Sequence, residues 1–192
     1  MGRYEPGLRT EARIVAATRE LLVEEGLEGT TLKAICDRAG VRAGSFYNLF
    51  DSKEGVVLRV VGEAIAAVDP DPAGGHAGSV SDLVEAYISF ITGEPLLARI
   101  YLQIAVSGSL GDGTLGKRFL RHHERRMNRF SEAMRRDAPG LDAEEADARS
   151  EMLVATLNGL AFHLVLDPDF DFTGYARRAG FPHPDGLTRV LE

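Results

Sequence analysis

Apolar and polar residues recur along this chain with the period of an α-helix almost from end to end. Ile14, Ala17 and Leu21 share one stripe, with Val15 and Leu22 beside it, which predicts a first helix over residues 8–25. Gly26 follows its last turn, where a residue without Cβ can take the left-handed conformation that ends a helix. Thr30 or Thr31 offers an N-cap for a second helix over 32–39. Gly40 supplies a turn, and a third helix is expected over 43–50. Ser52 caps a fourth that runs on to residue 68. Further apolar stripes predict helices over 80–92, 95–106, 115–137 and 143–166. Pro95 suits a helix start, where its missing N–H leaves nothing unpaired. Pro168, Gly174, Gly180, Pro182 and Pro184 restrict the tail to short helical pieces, the last over 185–191. No segment alternates convincingly with the period of a strand, so the fold class is all-α.

The stretch 69–79, DPDPAGGHAGS, is dense in Pro and Gly and reads as a linker. It divides an N-terminal domain of three helices (1–52), with a connecting helix over 52–68, from a C-terminal helical domain over 80–192.

The 192 residues carry a net charge of −7, unevenly spread. Residues 1–60 hold nine Lys and Arg against nine Asp and Glu, so the entire deficit lies beyond them. A neutral head can still present a local basic face, and an acidic remainder points away from any polyanion. The opening residues, MGRYEPGLRTEAR, are polar and do not read as a secretory signal. The longest charge-free apolar run, Met152 to Leu166, has 15 residues, short of the roughly 20 that span a bilayer. A single cysteine, Cys36, excludes an internal disulfide and a multi-cysteine zinc site. It reads as a buried small residue. No metal and no cofactor are expected, and a cytoplasmic location fits.

Thr30 to Glu54, TTLKAICDRAGVRAGSFYNLFDSKE, carries the sharpest chemistry. Two short helices meeting at one glycine read as a helix-turn-helix. A DNA major groove admits one helix, which a second must hold at a fixed angle. Leu32, Ile35, Val41 and Phe46 can pack the pair against the first helix, with Phe46 and Phe50 in the core. The start of the third helix then faces the base edges. Small Ala43, Gly44 and Ser45 permit close approach there. Arg42 can read guanine or hold a phosphate. Thr31 and Lys53 lie at helix N-termini, which favour phosphate. Tyr47 can place its hydroxyl on a phosphate, and Asn48 is adjacent.

Thr31, Ile35, Ala39-Gly40-Val41, Gly44, Tyr47, Phe50 and Lys53-Glu54 follow one another as in the N-terminal domain of the tetracycline-repressor (TetR) family, which this segment resembles. The close match covers about residues 10–60; the remainder is similar only in length and helical layout. The resemblance implies a homodimer that binds palindromic double-stranded operator DNA, represses transcription, and lets go when a small molecule enters the C-terminal domain. Two positions depart from the family pattern. Arg42 stands where Ser or Thr usually caps the third helix, and Leu49 where His often touches phosphate.

Residues 152–166 are apolar on nearly every side, so the last long helix should be buried nearly all round. So small a domain covers such a helix most simply with a second copy of the chain. Leu153, Leu157, Gly159, Leu160 and Leu164 are the expected dimer contacts, a pairing the resemblance also implies; a core helix within one chain is the alternative. On the 115–137 helix, His123 falls within the apolar stripe of Phe119, Leu120, Met127, Phe130 and Met134. An inward histidine needs a polar partner or a ligand. Arg99, Gln103 and Ser107 recur every four residues on the sixth helix, facing either solvent or a pocket. The family's pocket position implies lining by Tyr87, Phe90, Tyr101, Gln103, His123, Met127, Asn158 and Phe162, and a mostly apolar effector. No membrane partner is expected. The competing classes are a helical scaffold without operator binding and a small enzyme. The His122-His123-Glu124 run lacks the spacing of a zinc protease, and there is no phosphate-cradling glycine motif.

Overall fold

The computed structural model describes residues 5–69, 78–108 and 114–180. Most of the expected linker (70–77) and the terminal piece expected over 185–191 lie outside the described residues. Among the described residues every regular element is an α-helix. They are α1 (Glu5–Gly29), α2 (Leu32–Ala39), α3 (Ala43–Tyr47), α4 (Lys53–Ala67), α5 (Val80–Gly93), α6 (Pro95–Gly108), α7 (Thr114–Asp137), α8 (Ala143–Leu166) and α9 (Phe172–Gly180). None is long and apolar enough to cross a membrane.

The backbone groups into two compact units, one of Met1–Ala64 with Leu96–Leu115, the other of Ile65–Pro95 with Gly116–Glu192. The first therefore holds α1 to α3, most of α4, and α6. Its core is built from the stripes the periodicity predicts: Ile14, Leu21, Leu22, Ile35, Phe46, Val56 and Val57 are buried. Gly26 breaks α1 near its end with φ 69°. Thr30 is buried, its hydroxyl donating to the Gly26 carbonyl at 2.6 Å, so the cap of α2 falls to Thr31.

In the second unit α7 pins the start of α5. Asp137 accepts the Val80 N–H at 3.0 Å, and Arg136 donates to the Gly78 carbonyl at 3.0 Å. Ser79 and Asp82 form a reciprocal capping box on α5. The tail forms α9, which packs against α5 and α8. Phe172, Ala176 and Gly180 make its buried stripe. A Cβ at Gly180 would meet Val84 Cγ2 at 2.7 Å, so the close approach requires glycine.

Three expectations need correction. The third helix ends at Tyr47 rather than residue 50, because the chain passes into turns at Asn48 and Leu49. Leu120 is exposed rather than part of the inner stripe of α7; Met127 and Phe130 are buried in it. Within a single chain α8 is not covered all round. Leu153, Val154, Leu157 and Ala161 are buried, while Met152, Phe162, Val165 and Leu166 are exposed.

Candidate nucleic-acid interface

The reading segment is set by its turns. The Thr31 hydroxyl accepts the Ala34 N–H at 3.1 Å and starts α2. Gly40 ends it in the left-handed region (φ 63°, ψ 39°), and its N–H bonds back to the Asp37 carbonyl at 3.2 Å. The chain leaves the turn extended at Arg42 (φ −83°, ψ 152°), and α3 begins at once. Phe46 then buries itself completely, packing edge-on to Tyr47 and tilted against Phe50, each at 5.7 Å between ring centres. With Phe46 fixed inward, helical geometry turns its neighbours outward. Arg42, Ala43, Gly44, Ser45, Tyr47 and Asn48 are all exposed.

α2 is locked to α1 by a fork that the sequence reading missed. Arg38 donates to Glu24 through both terminal nitrogens (2.8 and 3.1 Å) and reaches Glu20 at 3.3 Å. The hydrogen bond from Arg38 holds the Glu24 carboxyl below its usual range. Such exposed pairs add little stability, but a two-nitrogen fork fixes orientation. Only the pairing across two helices identifies it; in sequence, Arg38 is one basic residue among several.

Of the eight residues expected at DNA, seven are exposed on this unit: Thr31, Arg42, Ala43, Gly44, Ser45, Tyr47 and Asn48. Arg42 makes no side-chain cap, as its replacement of Ser or Thr implies. Lys53 is placed differently. It opens α4, but its ammonium donates to the Leu27 carbonyl at 3.1 Å and is half-buried. It ties the fourth helix to the end of the first. Cys36 is buried, and burial pushes its thiol up, which leaves it a poor nucleophile.

The expected effector residues are scattered. Tyr87, Phe90 and Met127 are buried in the second unit, with His123 and Asn158 half-buried there. The Tyr87 hydroxyl donates to Asn158 Oδ1 at 3.0 Å. Tyr101 is buried and Gln103 exposed on α6, which groups with the N-terminal helices. Arg99 and Gln103 face solvent. Phe162 is 53% exposed, so within one chain it lines no interior. Of the expected dimer contacts, Leu153 and Leu157 are already buried by the chain itself, Leu160 and Leu164 are half-buried, and Gly159 is exposed. The helical period is the reason: 153 and 157 lie on the inner face, while 152, 159, 162 and 166 follow the outer one.

The family model described as "Bacterial regulatory proteins, tetR family" matches residues 14–60, the segment whose geometry is given above. Over 55 residues the chain is 51% identical to the HTH-type transcriptional repressor KstR2 of Rhodococcus jostii; this is 29% of the chain and 26% of that protein. The match thus spans about a quarter of that relative's length. Among solved structures, a transcriptional regulator from Rhodococcus sp. Rha1 superposes with a TM-score of 0.63 at 24% identity, covering 88% of this chain and 91% of that one. FadR from Bacillus subtilis, solved in complex with stearoyl-CoA, gives 0.60 at 18% identity, covering 88% and 95%. These structural likenesses establish the fold; the head carries the sequence identity. Residues 14–60 of this chain are thus similar in sequence to the DNA-binding segment of the tetR family of bacterial regulatory proteins.

Proposed function

We propose that this chain is a transcriptional repressor that binds a palindromic operator as a homodimer and releases it on taking up a small, mostly apolar effector in the cytoplasm. The observation that carries the DNA reading is the exposed row Arg42–Ser45, Tyr47 and Asn48, held outward by buried Phe46 and by the glycine turn at residue 40. Residues 1–52 are the reading head, α4 the connector, 69–79 the linker and 80–192 the body. Two heads must reach successive major grooves, about 34–36 Å apart, so a small change of angle in α4 spoils the fit. The effector has to favour the non-binding geometry, since equal affinity for both states shifts nothing.

The apolar face left exposed on α8 supports the dimer. Met152, Phe162, Val165 and Leu166 lie there with Gly159, at which a Cβ meets no atom within 4 Å. A second copy bringing the same face buries this surface on both sides at once. For the effector, Tyr87, Phe90, His123, Met127 and Asn158 of the second unit are the residues we retain. That a protein of this fold was solved with stearoyl-CoA supports an apolar chain as part of the ligand.

The test is selection of duplex DNA from a random pool by the purified full chain, followed by binding to the selected site across a salt series. A palindromic product whose affinity falls steeply with salt is expected. Recovery of no preferred sequence at any salt would refute the operator reading and favour a helical scaffold.

A further inference from the structure

The reading head spends most of its positive charge on itself. Lys33 donates to Asp37 one turn along α2 at 2.7 Å. Arg38 is held by Glu20 and Glu24. Arg59 of α4 pairs with Glu63 at 3.0 Å and with Glu11 of α1 at 3.4 Å. The Leu27 carbonyl takes the Lys53 ammonium, and Arg9 and Arg19 are engaged with other groups. Among the described residues of the head two cations remain, Arg13 and Arg42. Both are exposed, and neither side chain makes a hydrogen bond or an ion pair there.

The two lie at the same turn. Arg13 Nη1 comes within 4.0 Å of the point that a Cβ on Gly40 would occupy. Arg42 is the second residue after that glycine. The packing of α2 on α1 explains the placement. Arg13, Glu20 and Glu24 share one stripe of α1, at spacings of seven and four. The acids of that stripe hold Arg38 near the end of α2, and two turns back the same stripe brings Arg13 to the turn that follows. No acid stands three or four residues from Arg13, where it could pair along the helix; those positions are Arg9, Thr10, Ala16 and Ala17. Asp37, the acid nearest the turn in sequence, is already taken by Lys33.

A guanidinium cannot shed its charge, and its N–H fork matches the oxygens of a phosphate. Two such groups left unpaired at one turn repel each other, and an anion between them relieves the repulsion. Arg13 comes from α1, outside the row Ala43–Ser45 that approaches the base edges, so the phosphate backbone is its partner rather than a base.

We propose that Arg13 is a further DNA contact, supplied by α1, which grips a backbone phosphate at the turn from which Arg42 also reaches the duplex. This rests on the reading of the head as DNA-binding. It adds a contact outside the segment 31–53 from which the others are drawn.

The test measures binding of the full chain to two duplexes of equal length, one recovered by selection and one of unrelated sequence, across a salt series. Arg13→Gln should weaken both by the same factor, about tenfold per head at ~0.1 M salt, and lessen the slope of log affinity against log salt by about one per head. Its melting temperature should match the wild type, because the side chain has no partner in the head to lose. Arg13→Lys keeps the charge and should retain most of the slope. Arg59→Gln removes a cation already paired with Glu11 and Glu63 and should leave the slope in place. A wild-type slope in Arg13→Gln overturns the contact and leaves the operator reading standing. An equal loss in Arg59→Gln also overturns it, since net charge alone would then explain the effect. So does a loss confined to the selected duplex, which would make Arg13 a base reader. Binding of neither duplex by the wild type overturns both the contact and the operator reading.

Discussion

Arg129 of α7 holds Asp69, just past the end of α4, through both of its terminal nitrogens; the second bond, Nη2 to Oδ1, is 2.6 Å long. Neither side chain is widely exposed. Arg129 lies one turn beyond Arg126 and nearly two beyond His123, so the helix that carries His123 also grips the chain leaving α4. In a double-mutant cycle of Asp69→Asn and Arg129→Gln, urea unfolding of the full chain should give a coupling energy of about 1–2 kcal/mol. Coupling indistinguishable from zero would remove the pair as a structural link.

The two basic residues of the reading head should fail in different ways. Arg42→Ala removes an exposed cation from the start of α3. Operator affinity should fall and the slope of log affinity against log salt should lessen by about one. Lys53→Ala removes the tie to the Leu27 carbonyl. The melting temperature should drop, with less change in the salt slope. If both variants lose the same slope and neither loses stability, Lys53 is a phosphate contact after all.

These residues show where the sequence was legible. The spacing of Ile14, Leu21, Ile35 and Phe46 was enough to place the head's helices, because each buries one stripe at a fixed period. Thr31 and Gly40 were readable as start and stop signals, since caps depend on local chemistry. Arg129 was not readable. It is one of eight basic residues between 117 and 136, and only the fold brings Asp69 to it. Arg126 was hidden in the same run. α9 left a fainter trace: Phe172, Ala176 and Gly180 recur every four residues, but three prolines and three glycines after Asp167 argued for no more than short helical pieces. Leu157 was misjudged because α8 is apolar on both faces, and composition cannot say which face its own chain covers.

The two faces of α8 can be separated by substitution. Leu157 is 1% exposed and Phe162 53%. Leu157→Ala leaves an internal cavity and should cost about 2–5 kcal/mol of stability. Phe162→Glu should instead convert a dimer to a folded monomer, seen by sedimentation velocity with an unchanged helical spectrum. A Phe162→Glu protein that stays dimeric would place the interface elsewhere.

Glycine substitutions probe the two close points of the fold. Gly40→Ala forces a side chain into the left-handed region and should cost about 1–2 kcal/mol. Gly180→Ala presses a methyl into Val84 and should cost about 1–3 kcal/mol. Pairing Gly180→Ala with Val84→Ala makes room for that methyl, so the second change should cost less in the variant than alone. Additive losses would mean that α9 does not depend on this contact.

His123 gives the protein an acid-sensitive point. Burial, and secondarily the Arg126 charge, lowers its proton affinity in the fold, while Glu151 and Glu124 act in the opposite sense. In the unfolded chain an imidazole titrates near its ordinary value, about 6.5. As pH falls below that value the unfolded state takes up the proton first, so stability declines with falling pH. The decline ends once the pH passes the lower folded value, because both states are then protonated. Above about pH 7 neither state holds the proton, and His123 adds no pH dependence. His123→Gln keeps a hydrogen-bonding side chain but cannot titrate. The difference in melting temperature between pH 7.5 and 5.5 should therefore be smaller in that variant than in the wild type. Arg126→Gln removes one of the lowering causes, so the His123 ring should titrate at higher pH by NMR than in the wild type. An unchanged His123 titration in Arg126→Gln would show that the guanidinium does not bear on the ring, and burial alone would then account for the shift.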